Sequence, residues 1–537
     1  MNLLLLLSFC AAAVTAAEGP QWPMHLLEHI ENGAQFLEEG PKKIAIVGGG
    51  IAAASLAYTL YTDSAYRQPV DLTIYEAAHG VGGRVNSTLV NNLANTYGGF
   101  VDTGASTFSD DDWCLQSAID DVGLRKAVID GVHSIQLPTA GVWDGQTFIR
   151  HRDRARDIKS RTVLEYGRDI LKYGLSARRL QNIMRTKLPL FGDLRSIPYD
   201  IQQLDLEEES KMPANEYLIQ NGVSAEVMRD IVEPTARALF AHNLTNLNAL
   251  SALIAMNPAA THRLGSIPRG NMELVSRLVR LSEARTFLNT HVSKISSLSN
   301  GKYLIAVSDT DHVGKSGAKE DHEYDIIVIA THLQGAGIEF DFPTPPLVKS
   351  LPDFVERHVT HFTTHRGVQL APSFFNLTTS DKIPDMIFTN SQSPISNETD
   401  VFAIEHYDID DGFHGDLRDQ VHLYKVISSK TITDSLILQM LGKSPDSSLA
   451  SAGVKWTTRQ VWPLASPKHT TGPQLDHVEL TKGLFYTGLS DELLNSMEMS
   501  CRMGRQVAGL VFKRLLPCPH FAAPISTPIY DGCDGLY

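Results

Sequence analysis

Residues 42–60 read Lys42-Lys43-Ile44-Ala45-Ile46-Val47-Gly48-Gly49-Gly50-Ile51-Ala52-Ala53-Ala54-Ser55-Leu56-Ala57-Tyr58-Thr59-Leu60. The apolar, β-branched start predicts a buried strand, and the run of small residues after Gly50 predicts a helix. Between them the glycines form a G-x-G-x-x-A pattern that opens a βαβ unit. In such a unit Gly48 makes the tight turn, Gly50 lets the backbone approach a pyrophosphate, and Ala53 lets the helix lie close on the strand. The helix N-terminus then points its free N–H groups at the phosphates. The next predicted strand, Val70-Asp71-Leu72-Thr73-Ile74-Tyr75, ends at Glu76, placed to accept hydrogen bonds from a ribose.

Further along, Gly80-Val81-Gly82-Gly83-Arg84 supplies a glycine-rich turn that admits a diphosphate, with Arg84 as a cationic fork beside it. This loop resembles one found in FAD-containing oxidases of the glutathione-reductase superfamily. Tyr324 to Thr331 resembles the Ala-Thr strand of that superfamily, with Thr331 at the cofactor, and Val292 is expected near the adenine. Leu484-Phe485-Tyr486-Thr487-Gly488 leads to a helix expected from about Ser496 to Lys513, a second strand-to-helix step aimed at the cofactor. The expected fold is therefore α/β, a Rossmann-like FAD-binding domain of glutathione-reductase superfamily type with an inserted α+β substrate domain. Its FAD-binding pieces are residues 41–110, 265–333 and 476–515, and the inserts are 111–264, mainly helical, and 334–475, of mixed strands and helices.

Five stretches make the resemblance narrower: Ile44 to Ile51 with Val81 to Arg84; Leu171-Lys172-Tyr173-Gly174; Pro234 to Arg237 with Asn246-Leu247-Asn248-Ala249; Gly270-Asn271; and Ser496-Met497-Glu498-Met499-Ser500. Together they resemble the prenylcysteine oxidase family, also called prenylcysteine lyase. The resemblance implies an FAD-dependent thioether oxidase that cleaves S-farnesyl- or S-geranylgeranyl-cysteine to cysteine and an isoprenoid aldehyde, with O2 reduced to H2O2. It also implies cofactor contacts at Glu498 and Met499, although Glu498 is equally suited to cap its own helix. Arg237 is the candidate anchor for the substrate carboxylate, since a guanidinium fork matches a carboxylate, with an interdomain ion pair as the plain alternative. His242 is a candidate to orient water, or a buried structural histidine.

Val101-Asp102-Thr103-Gly104-Ala105-Ser106, Phe108 and Pro268-Arg269-Gly270-Asn271 depart from the family pattern. These departures keep open an oxidase of another prenylated or phenolic metabolite. A flavin-empty isoprenoid carrier is a third reading, opposed by the intact Gly48, Gly50, Glu76, Gly83 and Arg84.

The chain has 537 residues, 43% of them apolar, and 47 Lys or Arg against 61 Asp or Glu, a net charge of −14 that argues against nucleic-acid partners. Residues 1–17 read as a secretory signal peptide, so a lysosomal, vacuolar or secreted destination is expected, and 516–537 as a Pro-rich tail. The sequons at Asn86, Asn243, Asn376 and Asn397 fit that route, with Asn86 doubtful because of its place in the cofactor loop. Cys114, Cys501, Cys518 and Cys533 allow three full pairings, with Cys518–Cys533 the favoured bridge. From Arg150 to Arg195 there are 13 Lys or Arg against 5 Asp or Glu. That stretch suits a solvated helical face, or peripheral contact with an anionic membrane, while its Leu164, Ile170, Leu171, Leu175 and Leu180 are expected in the core. His358, His361 and His365 lie in a β-branched segment expected to be a strand, with His358 facing away from the other two, so no metal site is expected. No HExxH, GxSxG or P-loop occurs.

Overall fold

The computed structural model describes residues 40–64, 69–90, 99–128, 139–152, 172–192, 199–256, 264–310, 322–344, 353–391, 399–409, 421–468 and 478–515. The expected signal peptide, the tail with Cys518 and Cys533, the sequon at Asn397, and Leu164, Ile170 and Leu171 lie outside them.

The opening strand forms at Lys42–Val47 and the helix at Ile51–Ser64, with Val70–Tyr75 parallel to the first strand. Ile44, Ile46, Ala53, Ala54, Leu56 and Leu60 are all wholly buried, which is why an apolar strand and a helix of small residues pair here. A six-stranded sheet grows around them in the order Arg285–Phe287, Val70–Tyr75, Lys42–Val47, Ile326–Ile329, Leu484–Tyr486, Glu479–Thr481. All pairings are parallel except the last. The sheet thus joins strands that begin at residue 42 with strands that end at residue 486. The helix Met497–Leu515 then crosses back over Ile51–Ser64, and the approach is so close that a Cβ on Gly504 would stand 2.4 Å from the Ala52 carbonyl oxygen.

A four-stranded sheet, ordered His322–Tyr324, Tyr303–Asp309, Thr290–Ser297, Glu339–Asp341, flanks the first. The inserted chain builds a seven-stranded sheet ordered Val454–Pro467, Phe354–His365, Val421–Ser428, Val401–Ile409, Met386–Thr389, Ala140–Trp143, Phe148–Arg152. One face carries Phe362, Tyr424, Ile404 and Val426 against the helix Asp434–Met440. The other carries the cross-strand row Thr458, His361, Lys425, Glu405. Residues 199–256 are helical, as expected of that insert, although Ala140–Trp143 and Phe148–Arg152 add strands to it.

His358, His361 and His365 do fall on a strand. Leu180 is buried, but Leu175 is 68% exposed, against the expectation of a core position. It precedes the helix Ser176–Gly192, whose first residue turns toward Ser224 and leaves Leu175 outside the turn. Cys114 and Cys501 are joined in a buried disulfide, one of the pairs permitted by the sequence.

Candidate functional site

A cavity of about 440 Å³ opens where the parallel sheet meets the seven-stranded sheet. Its floor is the glycine turn. Gly48 has φ +105° and its missing Cβ would stand 2.8 Å from the Ala330 carbonyl oxygen, so only glycine lets the turn pass over the neighbouring strand. Gly50 differs: an added Cβ would meet nothing nearer than the Gly82 carbonyl oxygen, at an ordinary contact distance of 3.9 Å, and would stand at the cavity wall. Gly83, in the left-handed region at φ +56°, lies across from Gly50. Gly82 N–H donates to the Gly49 carbonyl (2.9 Å), tying the two glycine loops together.

Glu76 ends its strand at the cavity wall, accepting from the N–H of Gly49 (2.6 Å) and of Ala78 (2.7 Å). This is an acidic side chain beside the N-terminus of a 14-residue helix, the arrangement that suits a ribose next to a pyrophosphate. Arg84 lines the same wall and donates to Asp491 (2.8 Å) and Asn495 (2.7 Å). Thr331 and Gly488 line it from the ends of their strands, joined by Ser496, just before the last helix, and by Met497 and Ser500 within it. The residues present therefore fit an extended dinucleotide: a Gly50 cradle that a side chain would fill, two glycine loops, an acid and a helix N-terminus.

Other expected site residues lie elsewhere. Val292 is buried in its own four-stranded sheet and is not part of the wall. Glu498 turns its carboxylate away from the cavity and accepts the N–H groups of Cys114 (3.0 Å) and Leu115 (2.9 Å), capping the helix Trp113–Asp121, while Arg502 pairs with it at 2.5 Å. The plain alternative of a helix cap thus describes Glu498, on a neighbouring helix instead of its own. Met499 is fully buried one residue off the cavity face, because Met497 and Ser500 occupy that face of the helix. Arg237 is 1% exposed and bonds Asp400 (2.6 Å) and Asn243 (2.7 Å), an ion pair apart from the cavity. His242 is buried and held neutral, its pKa pushed down to about 4 by burial despite backbone contacts at Ser466 and Pro467.

The cavity instead presents residues that sequence reasoning passed over. His332 lies 3.3 Å from Asp491, its pKa lowered to about 4 by burial and then by Arg84, with Asp491 opposing. Trp462 donates its indole N–H to the Thr103 carbonyl (2.7 Å), and Arg357 stands opposite Trp462 in the strand register. A lone arginine among the β-branched and aromatic residues of Phe354–His365 was the available signal.

A parallel sheet of this order with a helix N-terminus and two glycine loops at its carboxyl edge defines a Rossmann-like dinucleotide-binding domain, here joined to a second, seven-stranded sheet. The cyclohexylamine oxidase from Brevibacterium oxydans shares this fold, with a TM-score of 0.57 at 14% identity over 89% of this chain and all of that one. A CLA-producing fatty acid isomerase from P. acnes gives 0.54 at 15% identity over 88% of this chain and 99% of that one. Residues 46–121 match the NAD(P)-binding Rossmann-like domain, and residues 159–518 match prenylcysteine lyase. The chain belongs to the prenylcysteine lyase family. It is 22% identical to the farnesylcysteine lyase of Arabidopsis thaliana over 89% of this chain and 90% of that protein. Prenylcysteine oxidase 1 of Bos taurus is 23% identical over 88% of this chain and 89% of its own.

Proposed function

We propose that the protein is an FAD-dependent thioether oxidase that converts an S-prenyl-L-cysteine, water and O2 to cysteine, an isoprenoid aldehyde and H2O2. The observation that carries this reading is the placement, in one cavity of a prenylcysteine lyase family member, of a dinucleotide cradle and apolar wall residues from a second sheet. Bound FAD would supply the hydride acceptor for the allylic carbon next to sulfur. Gly48, Gly50, Glu76, Gly83 and Arg84 would hold its diphosphate and adenosine end, and Thr331, Gly488 and the start of the helix Met497–Leu515 its other end.

The chain's own part is orientation and exclusion of water. Leu239, Trp462 and Ala465 give the cavity wall apolar surface suited to an isoprenoid. His332, neutral throughout the physiological range, adds no charge to repel the positive charge that develops at the reacting carbon. The proposed route begins in the secretory pathway, with a lysosomal, vacuolar or secreted destination and contact with an anionic membrane through the Arg150–Arg195 stretch.

Anaerobic mixing of the yellow holoenzyme with S-farnesylcysteine tests the activity. Bleaching of the visible flavin band, with farnesal and peroxide after air is admitted, is expected. Yellow protein that ignores this thioether points to another prenylated or phenolic substrate; colourless protein that FAD cannot reconstitute points to a carrier.

A further inference from the structure

Of the two arginines in the cavity wall, only one has its charge answered. Arg84 is paired with Asp491 and bonded to Asn495. Arg357 reaches the same cavity from the seven-stranded sheet and donates only to the Leu239 carbonyl, at 3.1 Å. Its Nε is buried with no hydrogen-bond partner, and no carboxylate of the described residues lies within ion-pair distance. Glu405, the acid whose field it feels, is committed to Lys425 (3.2 Å) and Tyr407 (2.6 Å). Burial alone draws the Arg357 guanidinium down to about 10, far below the usual arginine range. The side chain as a whole is half-buried, but its Nε is shut away from water with a donor left over, and a carboxylate meeting that free edge of the guanidinium would satisfy it.

We propose that Arg357 anchors the anionic group of the substrate, the α-carboxylate of a prenylated cysteine, and so fixes which way the molecule lies in the cavity. The neighbours fit that orientation. Trp462, opposite Arg357 in register, and Leu239 offer apolar surface within the same wall for the remainder of the ligand. The Leu239 carbonyl that Arg357 already holds closes the end of the helix Glu233–Phe240, so a purely structural role as a helix C-cap is the competing account. The assignment of the ligand rests on the thioether-oxidase reading; the anion site does not.

Equilibrium binding to dithionite-reduced holoenzyme, which can oxidise neither ligand, separates the two accounts. The probes are S-farnesyl-L-cysteine and its methyl ester, then farnesoate and its methyl ester, followed by tryptophan fluorescence with Trp462 as a reporter in the wall. Wild type is expected to prefer each acid over its ester by about tenfold to a hundredfold, the range of a hydrogen-bonded charge. In Arg357→Met that preference should vanish while ester binding stays within about twofold, and Arg357→Lys should restore part of it. Thermal melts and flavin content confirm that each variant is folded and loaded. An acid-to-ester ratio unchanged by Arg357→Met, or absent from wild type, overturns the proposal. Farnesoate held through Arg357 by a protein that neither binds nor oxidises S-farnesylcysteine would leave the anion site standing and remove the thioether reading.

Discussion

Gly48 and Gly50 are two residues apart, yet a methyl group added to each meets different surroundings. At Gly48 it strikes a backbone carbonyl in a left-handed conformation, so Gly48→Ala is expected to destabilise the fold by about 1–3 kcal/mol, read in a denaturant melt. At Gly50 it meets only the Gly82 carbonyl oxygen, at an ordinary 3.9 Å, so Gly50→Val apoprotein is expected to melt within about 1 kcal/mol of wild-type apoprotein while failing to take up flavin, read as absorbance per mole of protein. A Gly50→Val protein that stays yellow would remove this residue from the cofactor cradle. His332 gives a third expectation. Its pKa in the fold, about 4, lies below the ordinary histidine value of about 6.5, so the unfolded chain takes the proton first as pH falls. Stability is therefore lost from about pH 6.5 toward 4, and His332→Gln should gain about 2 kcal/mol on wild type between pH 7 and 5. Equal melting shifts for both proteins across that interval would show His332 taking its proton in the fold.

Two elements illustrate what a sequence can and cannot disclose. The βαβ opening is legible because its signals are local: the strand, turn and helix each need particular residues within a few positions, and Gly48, Gly50 and Glu76 all reach the cavity. The helix Met497–Leu515 was legible as an element, but which of its residues face the cavity depends on its rotation against distant partners. That rotation sends Ser496, Met497 and Ser500 inward and Glu498 to the helix Trp113–Asp121. Arg237 and Arg357 tell the same story: both are arginines in apolar surroundings, and only the tertiary arrangement gives one an aspartate and leaves the other facing a cavity. Glu498→Ala would break the buried ion pair with Arg502 and uncap a helix, so a loss of about 3–5 kcal/mol in stability is expected, with the flavin spectrum of the surviving fold unchanged. A shifted flavin spectrum in that variant would put the carboxylate back at the cofactor.

Across the whole molecule, the Cys114–Cys501 disulfide spans 387 residues and fastens the helix Trp113–Asp121 to the last described helix. Replacing both cysteines by alanine is expected to lower stability by about 2–5 kcal/mol, measured against the oxidised parent. Because the parallel sheet takes neighbouring strands from residues 42–47, 326–329 and 484–486, none of its interior is finished by the first half of the chain. The close seat of Gly504 on the backbone of Ala52 has the same bearing on biosynthesis. A ribosome must deliver some five hundred residues before the notch at Gly504 can settle on a helix made near the start. On the proposed reading, prosthetic-group loading then becomes a mark of completed translation: a chain released before its far helix would lack one wall of the cofactor cavity and leave as colourless protein.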